Sequence, residues 1–172
     1  MKKASRFMPE YNAKKANKPA LLVLSAVVLV VFIYQPVFLL IPLGVAVLVM
    51  LCVAIEQPGI EKYFQNLCED RKGLSICDFS REFDPKVVDT WIIRAVYEQL
   101  QVALPTKQKV PIRASDSLFD TLKLDEDDIE LDLVEEVAQR TGRSLSEYKN
   151  NPYYGKVTTV QNLVLFFNHQ AR

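Results

Sequence analysis

The sequence predicts an all-α protein, a helical bundle of three to four helices preceded by two transmembrane helices. Three observations predict it. Residues 20–55 hold no charged side chain over 36 positions, too long an apolar run for the core helix of a soluble domain. Residues 84–172 carry apolar side chains at three- and four-residue spacing, the mark of amphipathic helices. Cap and turn residues stand between those stripes: Asp84-Pro85, Gly142 and the stretch 150–155.

The net charge of zero, from 21 basic and 21 acidic side chains, hides an uneven distribution. Residues 1–19 form a basic arm of net +5, with six Lys or Arg against Glu10. Residues 56–172 carry 15 basic and 20 acidic side chains, net −5. Nucleic acid is therefore not an expected partner. Three cysteines are too few for a secreted disulfide scaffold, and Cys52 lies within the apolar run. Cys68 and Cys77 stand nine apart with no neighbouring His, which does not make a metal site. They should stay reduced in cytosol, whereas an oxidising compartment would allow them to pair.

The apolar run needs a topology. A straight helix of 36 residues would reach about 54 Å, against a hydrocarbon core of about 30 Å. Tyr34, Gln35 and Pro36 interrupt it, and Pro disfavours helix at the residue before it. The expectation is a transmembrane hairpin over residues 20–55, with 20–33 crossing and 37–55 returning. Pro42 and Gly44 would kink the second limb. The basic arm biases its end toward the cytoplasm, and a hairpin returns the C-terminal domain there too. One tilted, Pro-kinked span, with the domain outside, is the alternative. A cleaved signal peptide fits less well, because the run far exceeds an h-region.

Residues 56–83 read as a juxtamembrane connector. Glu56-Gln57-Pro58-Gly59 marks a sharp exit from the bilayer. Ile60, Tyr63, Phe64 and Leu67 then fit one face of a short amphipathic helix, able to lie along the interface or pack on the domain. The domain follows at 84–172. Asp84 caps and Pro85 opens its first helix, with Val87, Val88, Trp91, Ile92, Ala95, Val96 and Leu100 as the apolar stripe. A second helix starts near Glu126, buries Ile129, Leu133, Val134, Val137 and Ala138, and ends at Gly142. Thr158 or Thr159 caps a last helix through Val160, Leu163, Val164 and Phe167.

These pieces, in this order, carry a resemblance. A long helix over 87–100, the loop Ser117-Leu118-Phe119-Asp120-Thr121-Leu122, an acid-rich helix over 125–138 and Thr158-Thr159-Val160-Gln161-Asn162-Leu163 together resemble an acyl carrier protein over residues 84–167. In that family the second helix opens with Asp-Ser-Leu, and the serine holds phosphopantetheine. Here Glu126 stands at that position, and a carboxylate cannot accept the phosphodiester. Asp116-Ser117-Leu118 lies about nine residues too early to replace it. The chain thus resembles a divergent bacterial subgroup that lacks the serine, which implies no cofactor; with the basic arm and the hairpin, the expected location is a bacterial inner membrane with both termini cytoplasmic.

The acidic helix remains able to bind. Ten carboxylates and Lys123 alone fall between Asp116 and Glu136, net −9. Those at the helix start are stabilised by the macrodipole, by about 0.3–1 kcal/mol each. A face of one sign also steers oppositely charged partners, and in carrier proteins this helix is the surface that basic partner enzymes read. Asp125, Glu126, Asp127, Asp128, Asp132, Glu135 and Glu136 are the expected partner-binding residues. An EF-hand needs ligands and a Gly that the stretch from Asp125 to Glu130 lacks, so no metal site is expected.

No catalytic residue is expected either. His169 is the sole histidine and no nucleophile motif lies near it. Arg140, Arg143, Lys149 and Lys156 with Tyr148, Tyr153 and Tyr154 read as a solvated basic-aromatic loop, able to meet an anionic membrane or an acidic partner. The expectation is a non-enzymatic, membrane-anchored interaction module whose partners are the lipid bilayer and a basic protein, such as a lipid or fatty-acid synthesis enzyme. Two alternatives stay open: a working acyl carrier modified at another serine, and a small membrane immunity or regulatory protein acting through the hairpin.

Overall fold

The computed structural model describes residues 4–11, 23, 25–28 and 37–172, with side chains described at all of these except 37–39 and 130–132. All regular structure among them is helical, as the sequence predicts. The elements are a 3₁₀ turn at Ser5–Phe7, α1 (Val37–Asp70), α2 (Ile76–Arg81), α3 (Thr90–Ala103), a π-helical turn at Asp128–Leu133 that runs into α4 (Val134–Thr141), a 3₁₀ turn at Tyr148–Asn150, and α5 (Val160–His169). The chain divides into two compact units, Asn12–Lys62, and Met1–Tyr11 with Tyr63–Arg172.

In the first unit, residues 40–59 of α1 are exposed at every position. Among the described residues this is the one helix long and apolar enough to cross a membrane. Residues 40–55 of it hold no charged side chain, and so large an exposed apolar surface marks a place meant for lipid or protein rather than water. The expected hairpin turn at Tyr34, Gln35 and Pro36, and most of the first limb, lie outside the described residues. Residues 23 and 25–28 are helical.

One expectation fails within α1. The helix does not end at Glu56-Gln57-Pro58-Gly59 but runs through it to Asp70, with Pro42 and Pro58 both inside. Proline in a helix interior costs about 3 kcal/mol and glycine about 1. Here the flanking residues on both sides are helix-compatible, and the far end is anchored by burial of Phe64, which is fully buried. Propensity is a weak prior, and tertiary anchoring overrides it.

The second unit is a helical domain centred on α3, which packs against α2, α4 with its π turn, α5 and the Ser5–Phe7 turn. Ile92, Val96 and Leu100 of α3, Leu133 and Val137 of the acidic helix, and Leu163, Val164 and Phe167 of α5 are all buried where α3 packs on the other two helices. Phe64, Phe79 and Phe83 are buried as well. The stretch read as a connector therefore supplies core aromatics, with Phe79 edge-on to Phe83 at 5.2 Å.

Caps explain the element ends. α3 starts at Thr90, later than Asp84-Pro85 predicts, because Asp89 is the residue whose carboxylate accepts the Trp91 N–H at 3.0 Å. Asp84 instead closes a turn, accepting from Lys86 N–H at 2.9 Å. Val87 sits in that turn and is exposed, so it is not part of the apolar stripe, whereas Val88 is buried. α3 stops where Leu104 turns extended before Pro105. The second helix ends as predicted at Gly142, in the left-handed conformation (φ 66°) that glycine adopts without strain. Thr159, of the two candidate threonines, caps α5 by accepting from Asn162 N–H at 3.2 Å.

Two extended pieces lock the loops. Val110, Ile112 and Ala114 are buried in alternation, and Gln101 brackets Val110 with two hydrogen bonds, Nε2 to O at 2.6 Å and Oε1 from N at 3.0 Å. Ser117 and Thr159 form an isolated antiparallel bridge, with Leu118 N–H to Thr158 O at 2.9 Å and Val160 N–H to Asp116 O at 3.0 Å.

Candidate functional site

The acidic helix is built by its own carboxylates. Asp128 N–H donates to Asp125 Oδ1 at 2.7 Å, and Asp125 N–H donates to Asp128 Oδ2 at 3.2 Å. Each satisfies a backbone donor that the first helical turn leaves without an intrahelical partner. Asp125, Glu126, Asp127 and Asp128 are all exposed, while Ile129, Leu133 and Val137 on the other face are buried. Four consecutive carboxylates therefore stand in water at a positive dipole end.

The π turn at Asp128–Leu133 has a geometric reason. In an α-helix a four-residue step drifts about 40° around the axis. Ile129, Leu133 and Val137 are spaced by four and all buried. A wider turn takes up the drift and keeps the three on one face. Such turns recur at functional sites.

The seven expected partner-binding residues do not share one surface. Asp125, Glu126, Asp127 and Asp128 are presented together. The Asp132 side chain lies outside the described residues. Glu135 and Glu136 are half-buried, and Glu136 accepts a hydrogen bond from Gln99 Nε2 of α3. Glu136 thus belongs to the helix–helix junction rather than to a face projecting with Asp128. The residue at the serine position, Glu126, is solvent-exposed. Ser117, in the early Asp-Ser-Leu tripeptide, is tied to Asp120: its Oγ donates to Oδ2 and accepts from N–H, both at 3.0 Å.

Two ionic clusters inside the domain carry no periodic signal in the sequence. Asp116 is 4% exposed and takes both guanidinium nitrogens of Arg71 at 2.7 Å, with Arg113 N–H adding a third bond at 2.8 Å. Hydrogen bonding to Asp116 holds the Arg71 guanidinium above its ordinary pKa, against the lowering effect of burial. Arg140, 7% exposed, donates to Gln99 Oε1 at 2.9 Å, to Glu98 and to the Pro9 carbonyl at 3.2 Å.

Arg140 and Arg143 therefore correct the reading of a solvated basic loop. Arg143 donates to Gln170 O at 2.6 Å and lies 3.8 Å from Asp89, and desolvation pulls its pKa down. Arg172 reaches the same Asp89 carboxylate at 3.1 Å. Lys149 and Lys156 are exposed. The arginines pack because their flat guanidinium groups satisfy several acceptors at once, which an ammonium does less well.

His169 is exposed, with Nδ1 2.9 Å from Leu165 O and its ring 5.2 Å from that of Tyr153. Among the described residues no three His, Cys, Asp or Glu side chains converge as a metal site. The three cysteines are free thiols. What the arrangement offers chemically is charge: an exposed anionic helix start on a rigid helical support. Comparison with known protein families, curated proteins and solved structures returns no match to this chain.

Proposed function

We propose that the chain is a membrane-anchored, non-enzymatic interaction module, with an acyl-carrier-like domain that docks a basic protein partner through the start of its acidic helix. The anchor is a hairpin in a bacterial inner membrane, and the domain works at the cytoplasmic face. One observation carries the docking reading: Asp125, Glu126, Asp127 and Asp128 are exposed together while the opposite side of the same helix is sealed in the core. A fixed cluster of one sign raises the encounter rate with a positive patch and suppresses like-charged competitors. The exposed apolar surface of residues 40–55 supports the anchor.

Glu126 and Asp127 give the cleanest test, since Asp125 and Asp128 also cap the helix. Capture of partners from detergent-solubilised membranes should be lost in a Glu126→Lys/Asp127→Lys chain that still fractionates with membranes. Capture indifferent to both reversals would reject the reading.

A further inference from the structure

The apolar stretch is bracketed by two segments of one compact unit. The chain leaves that unit at Tyr11 and returns to it at Tyr63. Named side chains hold the first segment in place. Arg140 is 7% exposed and uses all three guanidinium nitrogens: Nε–H to Pro9 O at 3.2 Å, Nη1–H to Gln99 Oε1 at 2.9 Å, and Nη2–H to a Glu98 carboxylate oxygen. Arg94 pairs with the other Glu98 oxygen at 2.9 Å and donates Nε–H to Ser5 Oγ at 3.3 Å. Two arginines bridged by one carboxylate thus grip the arm at Ser5 and at Pro9. Withdrawal of the arm would break both bonds and uncover the Arg140 guanidinium.

We propose that this arginine pair is an intramolecular socket for the N-terminal arm, and that it sets the membrane topology. Arm and domain lie on one face of the bilayer, and the apolar stretch enters and leaves by that face. The inference rests on the membrane-anchored reading above, and it deepens that reading by assigning Arg94, Glu98 and Arg140 a role in topology. A segment whose two ends are clamped to one body cannot cross a bilayer an odd number of times. The 51 residues of Asn12–Lys62 leave room for a return, since about 20 make one helical crossing. A single span with arm and domain on opposite faces is incompatible with an occupied socket.

The test uses the full chain in sealed membrane vesicles of known orientation. With Cys52, Cys68 and Cys77 changed to Ser, one cysteine is placed at Ala4 or at Val102, both exposed. A membrane-impermeant maleimide should label both positions from the same side, and labelling from opposite sides would overturn the proposal. For the socket, Ser5→Cys is paired with native Cys77, which lines the same groove, in a Cys52→Ser/Cys68→Ser chain. A short bis-thiol cross-linker should join them within one chain, with yield falling several-fold in Arg140→Gln. Absence of the link with Arg140 intact, or a yield unmoved by Arg140→Gln, would overturn the socket. Release of the chain from membranes by alkaline carbonate would instead reject the anchoring reading, and the cross-link would still score the socket.

Discussion

Arg71, just beyond the last residue of α1, and Asp116, in the loop before the Ser117–Thr159 bridge, form a two-point ion pair with both nitrogen–oxygen distances at 2.7 Å. Their side chains are 13% and 4% exposed. The same guanidinium also donates to Pro111 O at 2.9 Å, so one arginine ties the segment after α1 to two points of the 110–116 loop. Bidentate geometry and the extra backbone bonds satisfy both charges, which is the condition for a buried pair to be tolerated.

Removing one partner should therefore cost more than removing both. Asp116→Asn leaves a largely buried guanidinium without its counter-charge and should destabilise the domain by about 3–5 kcal/mol. Arg71→Leu/Asp116→Leu should cost markedly less. Denaturant titration of the two variants decides the order.

The α5 cap gives a smaller, independent effect. Thr159→Ala deletes the acceptor of the Asn162 N–H and should cost about 1 kcal/mol. Thr158→Ala, whose neighbour holds the cap, should cost less. Thermal unfolding of the pair separates them.

The capping box of α2 predicts a pH dependence. Hydrogen bonds from the Ser75 hydroxyl and backbone N–H hold the Asp78 carboxyl below its ordinary pKa, with Arg81 adding to the effect. A lowered folded pKa means that the carboxylate's contribution is present above the unfolded pKa and fades as pH falls through the folded one. The protection of the Ser75 and Asp78 amides, taken as exchange relative to the intrinsic rate at each pH, should thus fall on acidification. Asp78→Asn should show low protection already at neutral pH and no further fall with acid.

Partner docking should depend on salt. If the exposed carboxylates at 125–128 steer a basic partner, the association rate falls with ionic strength, and Glu126→Lys/Asp127→Lys flattens that slope. Dissociation should change less. Stopped-flow or surface-binding kinetics at several salt concentrations measure both.

Where the sequence was legible, it was so for local physical reasons. Gly142 supplies the left-handed residue that ends a helix, and Thr159 supplies a hydroxyl at a helix start. Ile129, Leu133 and Val137 share a spacing that buries them together. The start of α3 was misread because Asp84-Pro85 and Asp89 are both acceptable caps, and the choice falls to Asp89 where its own N–H is taken by Asn168 Oδ1 at 3.1 Å. Asn168 is 79 residues away along the chain, so no window of sequence contains both partners.

The candidate site divides in the same way. That residues 125–128 crowd four carboxylates at a helix start follows from composition and capping chemistry. That Glu136 turns inward to Gln99, and that Arg140 leaves solvent to hold Glu98 and the arm, does not. On a helix drawn from the sequence these side chains look like ordinary surface charges.

The sequence by itself determined the parts: a basic arm, 36 uncharged residues, a helical domain and an acidic helix start. Each follows from charge counts, apolar spacing or local hydrogen bonding. Only the tertiary structure decided which charges are spent inside, Arg71 on Asp116 and Arg140 on Glu98, and which remain in water. Burial of an ion pair depends on residues brought together from distant positions, and the desolvation that makes such pairs consequential arises only once the chain has packed around them.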